Sequence, residues 1–207
     1  MIFVKDLEMI GRGASKNVYQ FPGDESKLIK LMNPENVSDD GGFAKHGLLK
    51  RKMFQGIYRQ FRREVLQYMQ LCKNSYKKNI FVFPMETPYG FVHTDQGLGL
   101  VVEKIIAPSG RGETVSDLCK SGSFTQKHAK ALQQFFNDCC EMHIVFGEVN
   151  PAGIMYTESR RGVPEFVLVD GMGEKLFIPL RAMSQRINAR YVRKVEARTK
   201  QKLGIHY

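Results

Sequence analysis

Residues 8–32 read EMIGRGASKNVYQFPGDESKLIKLM, and the order of two glycines, a Val-Tyr pair and a lysine in this stretch decides how the chain is read. β-Branched and aromatic residues at 2–8 and 17–21 flank the glycines, and KLIKLM at 27–32 follows a Pro-Gly-Asp turn. Three short antiparallel strands are expected. Gly11 and Gly13 alternate in the first turn, where missing side chains let the backbone approach a polyphosphate and aim its amides at it. Val18 then covers a base, and Lys30 stands where an ammonium reaches the phosphates. A strand, not a helix, follows the glycines, which separates this pattern from a dinucleotide-binding turn. The competing reading is a Gly-containing hairpin with an incidental lysine, and the rest of the chain arbitrates.

With 207 residues and 43% hydrophobic content the chain can build a real core, which excludes a disordered or fibrous protein. Thirty-one Lys and Arg against 21 Asp and Glu leave a net charge of +10. That favours nucleotides, nucleic acid, acidic lipid or phosphorylated partners, and serves equally well as a solubilising surface. Cys72, Cys119, Cys139 and Cys140 lack the spacing of a zinc site or a disulfide framework and read as reduced thiols. Asp6 and Glu8 interrupt the N-terminal apolar residues, and no run approaches a membrane span, so a cytoplasmic location is expected.

After a turn-rich stretch at 33–43, Leu48, Met53, Ile57, Phe61, Val65, Tyr68, Met69 and Cys72 recur at helical spacing, which predicts one long amphipathic helix. Strand-like sequence returns at 79–105, with a turn at TDQGLG. APSGRGE at 107–113 reads as the connection that separates a sheet-rich lobe, 1–106, from a helical lobe, 107–207. The second lobe is expected to hold a short helix at TVSDLCK and a long one capped at Ser123 or Thr125. A hairpin around Arg-Arg-Gly and a basic helix from about 180 to 203 complete it. The class is α+β.

A phosphate-binding lysine needs an anionic anchor, and Glu64, in RREVLQYM on the long helix, is placed to pair with Lys30. Asp170 in FVLVDGMG ends a strand before glycines, as a metal-binding carboxylate does. The pieces GRGASKNVY, LIK, REVLQY and FVLVDGMG, in this order, resemble the protein-kinase-like fold over residues 5–175. FGEVNPAGIMY at 146–156 is similar to the catalytic loop of bacterial kinase-like enzymes. In length and local wording the chain resembles the YrbL family of the PhoP regulatory network.

The resemblance implies a minimal two-lobed protein-kinase-like fold with a truncated helical C-terminal lobe, and ATP and Mg²⁺ as cofactors. Glu148 then takes the position of the catalytic aspartate, Asp170 binds metal, and backbone from Glu103 to Ile105 meets the adenine. Val18, Ile29 and Ile154 are its expected apolar walls, although each serves equally as core. The loop departs from the family pattern: the usual His is Phe146, the usual Asp is Glu148, and the usual metal-binding Asn is Gly153, leaving Asn150 or Glu148 as a substitute ligand. Little chain follows Asp170, so no peptide-substrate helices are expected.

Three functions stay open. The first is an ATP-dependent phosphotransferase acting on an unknown acceptor. The second is a pseudokinase that serves a protein partner as a regulatory scaffold. The third is a nucleic-acid-binding protein using the terminal helix. That helix carries Arg181, Arg186, Arg190, Arg193, Lys194, Arg198, Lys200 and Lys202 beside an apolar strip of Ile187, Tyr191 and Val195, which reads first as a packed helix with a solvated basic face and second as a surface for an acidic partner.

Overall fold

The computed structural model describes residues 1–44, 54–174 and 178–205. Leu48 and Met53 of the expected helix lie outside them. The chain forms two compact units, Met1–Val65 with Thr87–Lys104, and Leu66–Glu86 with Ile105–Tyr207. This division differs from the expected single boundary at 106–107. Leu66–Glu86 joins the second unit because Leu71, Phe83 and Met85 are buried in that unit's core. The stretch expected as the connection is a tight turn within the second unit, where the Ala107 N–H donates to the Arg111 carbonyl (2.8 Å).

The first unit is built on an antiparallel sheet of order β1-β2-β3-β5-β4: β1 Met9–Arg12, β2 Lys16–Gln20, β3 Lys27–Met32, β4 Pro88–Thr94 and β5 Gly97–Glu103. Residues 2–8 were expected to be strand, but Val4–Asp6 forms a 3-10 turn and β1 starts later, so Gly11 lies inside the strand opposite Val18. Alternation along β3 divides its side chains between two faces. Ile29 and Leu31 pack with Val4 and Tyr19, whereas Met32 packs with Leu100, Val102, Ile57 and Phe61.

Helix α1, Arg59–Ser75, starts later than its apolar periodicity suggests. Gln55 takes a left-handed φ of 69° and Gly56–Tyr58 is a 3-10 turn, so the backbone ahead of Arg59 cannot continue an α-helix. Phe61, Glu64 and Val65 fall on one side of α1 at three- and four-residue spacing. Phe61 and Val65 belong to the same apolar cluster as Met32.

The second unit holds α2 Val115–Lys120, α3 Gln126–Glu141, the hairpin of β6 Ile154–Thr157 and β7 Glu165–Leu168, α4 Leu180–Met183 and α5 Gln185–Leu203. Leu132, Phe135, Phe136 and Cys139 of α3 pack with Phe146, Ile154, Phe166 and Val192. Burying each such aromatic contributes about 2–3 kcal/mol. The expected terminal helix is two helices. Ser184 has extended φ/ψ and its Oγ accepts the Ile187 N–H, which starts a new helix rather than continuing the old one.

Thr125 caps α3, and the His128 ring completes the cap: its Nδ1 accepts the Thr125 N–H (3.0 Å), so that nitrogen must be unprotonated. Burial, then the neighbouring Lys127, lowers the His128 pKa below its ordinary value. A base whose folded pKa is depressed stabilises the fold above its unfolded pKa and loses that contribution as pH falls through the folded value. Acidification from about pH 7.5 to about pH 5 should therefore release the cap and remove ~0.5–1 kcal/mol of unfolding free energy. Urea denaturation of wild type and His128→Gln at both pH values checks this. The variant keeps an acceptor and should lose less on acidification; identical pH dependence would refute the role.

Candidate functional site

In the first unit, β2 and β3 pair so that Val18 faces Lys30 and Lys16 faces Met32, with one residue, Asn17, between Lys16 and Val18 along the strand. Lys16, Val18 and Lys30 thus share one face of the sheet. Glu64 reaches both lysines. Its Oε2 lies 3.5 Å from the Lys30 Nζ, and its Oε1 accepts a hydrogen bond from the Lys16 Nζ. All three residues are buried, at 6% exposure for Lys16 and 5% for Lys30 and Glu64. The pairing of Lys30 with Glu64 was legible in the sequence, but Lys16 was not singled out. The available signal was strand alternation, because a residue two before Val18 must point the same way.

Gly13 closes the turn into β2, its N–H donating to the Lys16 carbonyl (2.8 Å), and a Cβ there would come within 3.0 Å of that oxygen. A Cβ at Gly11 would meet no atom within 4 Å, and the strand register shifts between Met9 and Gly11. Glycine in such a strand marks a bulge or a place where another group approaches the backbone. Ile29, expected as an adenine wall, lies on the opposite face from Lys30 with Tyr19 and Leu31, fully buried. Leu28 and Met32, two residues before and after Lys30, are the apolar β3 residues on the lysine's side. Glu103 ends β5, its N–H donating to the Thr87 carbonyl (2.9 Å) and its Oε2 accepting the Thr87 N–H (3.2 Å).

In the second unit, the segments around FGEVNPAG and VDGMG are laced together by backbone. The Gly147 and Glu148 N–H groups both donate to the Gly171 carbonyl (2.8 and 2.9 Å), and the Gly173 N–H donates to the Val145 carbonyl (2.8 Å). The Val169 N–H donates to the Gly153 carbonyl (2.9 Å). Glu148 and Asp170 are exposed residues on these two segments. The glycine at the usual Asn position has a packing cause: a Cβ at Gly153 would lie 3.1 Å from the Asp170 carbonyl oxygen and 3.5 Å from its Cβ. Asn150 is exposed, and its Oδ1 accepts the Ala152 N–H (2.9 Å), capping the turn Pro151–Gly153. Ile154 is fully buried in the core of this unit. Ile105 is also buried, and among the described residues it makes no backbone–backbone hydrogen bond.

Side chains from three helices hold the stretch that leads into this loop. Gln67 of α1 accepts the Val145 N–H (3.0 Å), and Asn188 of α5 donates to the Ile144 carbonyl (2.8 Å). Buried Arg181 of α4 donates to the Phe146 carbonyl (2.7 Å) and to Glu174 (2.7 Å), with its guanidinium 4.6 Å from the Tyr191 ring centre. His143, with φ 59°, hydrogen-bonds the Arg181 carbonyl through Nε2 (2.7 Å). Gln67, Asn188 and His143 were not singled out from sequence, because each acts on backbone that is distant along the chain; Arg181, expected on the basic face of the terminal helix, is instead buried and engaged by Phe146 and Glu174.

Among the described residues no group of three His, Cys, Asp or Glu side chains could hold a metal ion. Nor is any described helix long and apolar enough to cross a membrane. The four cysteines are free, and burial pushes the Cys139 thiol well above its ordinary pKa. The basic residues Arg186, Arg190, Lys194, Arg198 and Lys202 lie exposed on α5, while Val192 and Val195 are buried.

The sequence matches the family described as PhoP regulatory network protein YrbL over residues 2–204. Among solved structures it is similar to the crystal structure of a double mutant of the Mycobacterium tuberculosis PknI kinase domain, at 15% identity and a TM-score of 0.45. That likeness covers 79% of this chain and 56% of that one, so the chain spans little more than half the length of that kinase domain. No curated protein matches the sequence.

Proposed function

Because the chain belongs to the family of PhoP regulatory network protein YrbL, we propose that it is an atypical kinase-like protein that binds ATP. The observation that carries this reading is the buried pairing of Lys30 with Glu64 beside a glycine turn on the first unit's sheet. A carboxylate that fixes an ammonium on such a face prepares it for phosphate oxygens. Gly11 and Gly13 keep side chains off the turn that the same anion approaches, the Gly13 N–H being held by the Lys16 carbonyl, and Val18, opposite Lys30, supports the base. The backbone at Glu103 and Ile105 offers polar groups to the edge of the adenine.

Mg²⁺ held with a nucleotide takes one or two protein carboxylates and completes its shell with phosphate oxygens and water, where it neutralises developing charge. Asp170 is the carboxylate this reading assigns to it, with Asn150 as a secondary oxygen donor. Glu148, held by its backbone to Gly171, then accepts the proton of an acceptor hydroxyl. A second reading, nucleotide binding without turnover by a regulatory scaffold, is favoured by Gly153, which supplies no side-chain ligand and is packed against Asp170.

Calorimetric titration of ATP with and without Mg²⁺ tests the reading. Wild type should bind more tightly with Mg²⁺, Lys30→Ala should lose roughly tenfold or more in affinity, and Asp170→Asn should lose the Mg²⁺ dependence. Folded wild type that binds no ATP would overturn it. Transfer of the γ-phosphoryl label to any acceptor, lost in Glu148→Gln, separates the phosphotransferase from the scaffold.

A further inference from the structure

We propose that Lys16 is a second phosphate-binding lysine, so that the site takes a nucleoside triphosphate through two ammonium groups flanking one carboxylate. The inference rests on the nucleotide-binding reading above and adds to it the residue that selects for phosphate number.

Three observations converge on Lys16. Its backbone closes the glycine turn, since its carbonyl accepts the Gly13 N–H (2.8 Å), so any anion under that turn lies next to the start of its side chain. Strand alternation puts its side chain on the face shared by Val18 and Lys30. Glu64, expected to anchor Lys30, takes a direct hydrogen bond from Lys16 and only a 3.5 Å contact from Lys30. The anchoring carboxylate therefore positions Lys16 at least as firmly as the lysine expected from the motif.

Burying two ammonium groups and a carboxylate together is an expensive way to stabilise a sheet, because apolar residues of similar volume do as well or better. Such clusters of buried charge are characteristic of ligand sites. The simpler alternative is that Lys16 only neutralises Glu64 and leaves phosphate to Lys30. The two differ in what Lys16 does to discrimination between triphosphate and monophosphate, which a purely structural counter-ion would leave alone.

Titration of ATP, ADP and AMP into wild type, Lys16→Met and Lys30→Met, each checked for folding by circular dichroism, makes the comparison. Lys16→Met should lose about ten- to hundredfold in ATP affinity, with AMP affected far less, so that the ATP:AMP preference falls. Lys16→Met combined with Glu64→Gln removes one charge of each sign and serves where the single variant does not fold. The preference should fall there too. If ATP and AMP affinities keep their ratio when Lys16 is replaced but not when Lys30 is, Lys16 is only the counter-ion of Glu64 and the inference is overturned alone. Wild type with no affinity for any of the three overturns this inference together with the nucleotide-binding reading.

Discussion

Glu64→Ala should lower the unfolding free energy by about 3–5 kcal/mol, the cost of removing one partner from a buried ion pair. Glu64 is 5% exposed and lies on the same side of α1 as Phe61 and Val65, which belong to an apolar cluster. Two lysines reach it, through Oε1 and Oε2 respectively. The substitution takes from two buried ammonium groups a carboxylate that holds both of them. Replacing the whole group, with Lys16→Met and Lys30→Met added to Glu64→Leu, should recover most of the loss, since apolar residues of similar volume replace buried ion pairs at little cost. It should also abolish nucleotide binding. Urea denaturation followed by circular dichroism measures both variants. A loss below about 1 kcal/mol for Glu64→Ala would mean that the pair is solvated and contributes as little as a surface one.

Gly171→Ala should be as damaging, for a backbone reason. Gly171 has φ +84°, a conformation that costs a residue with a side chain about 1–2 kcal/mol. A Cβ there would also stand 2.6 Å from the Glu148 carbonyl oxygen, 2.7 Å from its carbon and 2.9 Å from the Val149 nitrogen. These are main-chain atoms of a segment that donates two hydrogen bonds back to the Gly171 carbonyl, so relief requires breaking the lacing itself. Overpacking of this kind adds roughly 1–3 kcal/mol, for a total near 2–5 kcal/mol. Gly110→Ala is the control: φ is +78° but a Cβ meets nothing within 4 Å, so only the conformational cost applies. Equal losses of thermal stability in the two variants would show that the contact with Glu148 and Val149 relaxes freely.

The element types were legible in the sequence because they rest on short-range rules. KLIKLM is β3 from its first to its last residue, Thr125 caps α3 as expected, and the apolar spacing of Ala129, Leu132, Phe135, Phe136 and Cys139 marks the side of α3 that is buried. The start of α1 was not legible, because its apolar period runs back through Ile57 while the left-handed Gln55 breaks the helix. The adenine-wall role expected for Ile29 gave way to the register of β3, which sends that side chain to the other face.

Sequence alone therefore determined the α+β order, the family resemblance, and the succession of glycines, Lys30, Glu64 and Asp170. Local periodicity, turn chemistry and motif order do not depend on how distant segments meet. Tertiary structure decided that Glu64 takes Lys16 as well as Lys30, that Leu66–Glu86 joins the second unit, and that the glycines of FGEVNPAG and VDGMG are required by each other. Those outcomes turn on strand register and on the close approach of segments far apart in the chain. There a shift of one residue or a few tenths of an ångström changes which side chains touch.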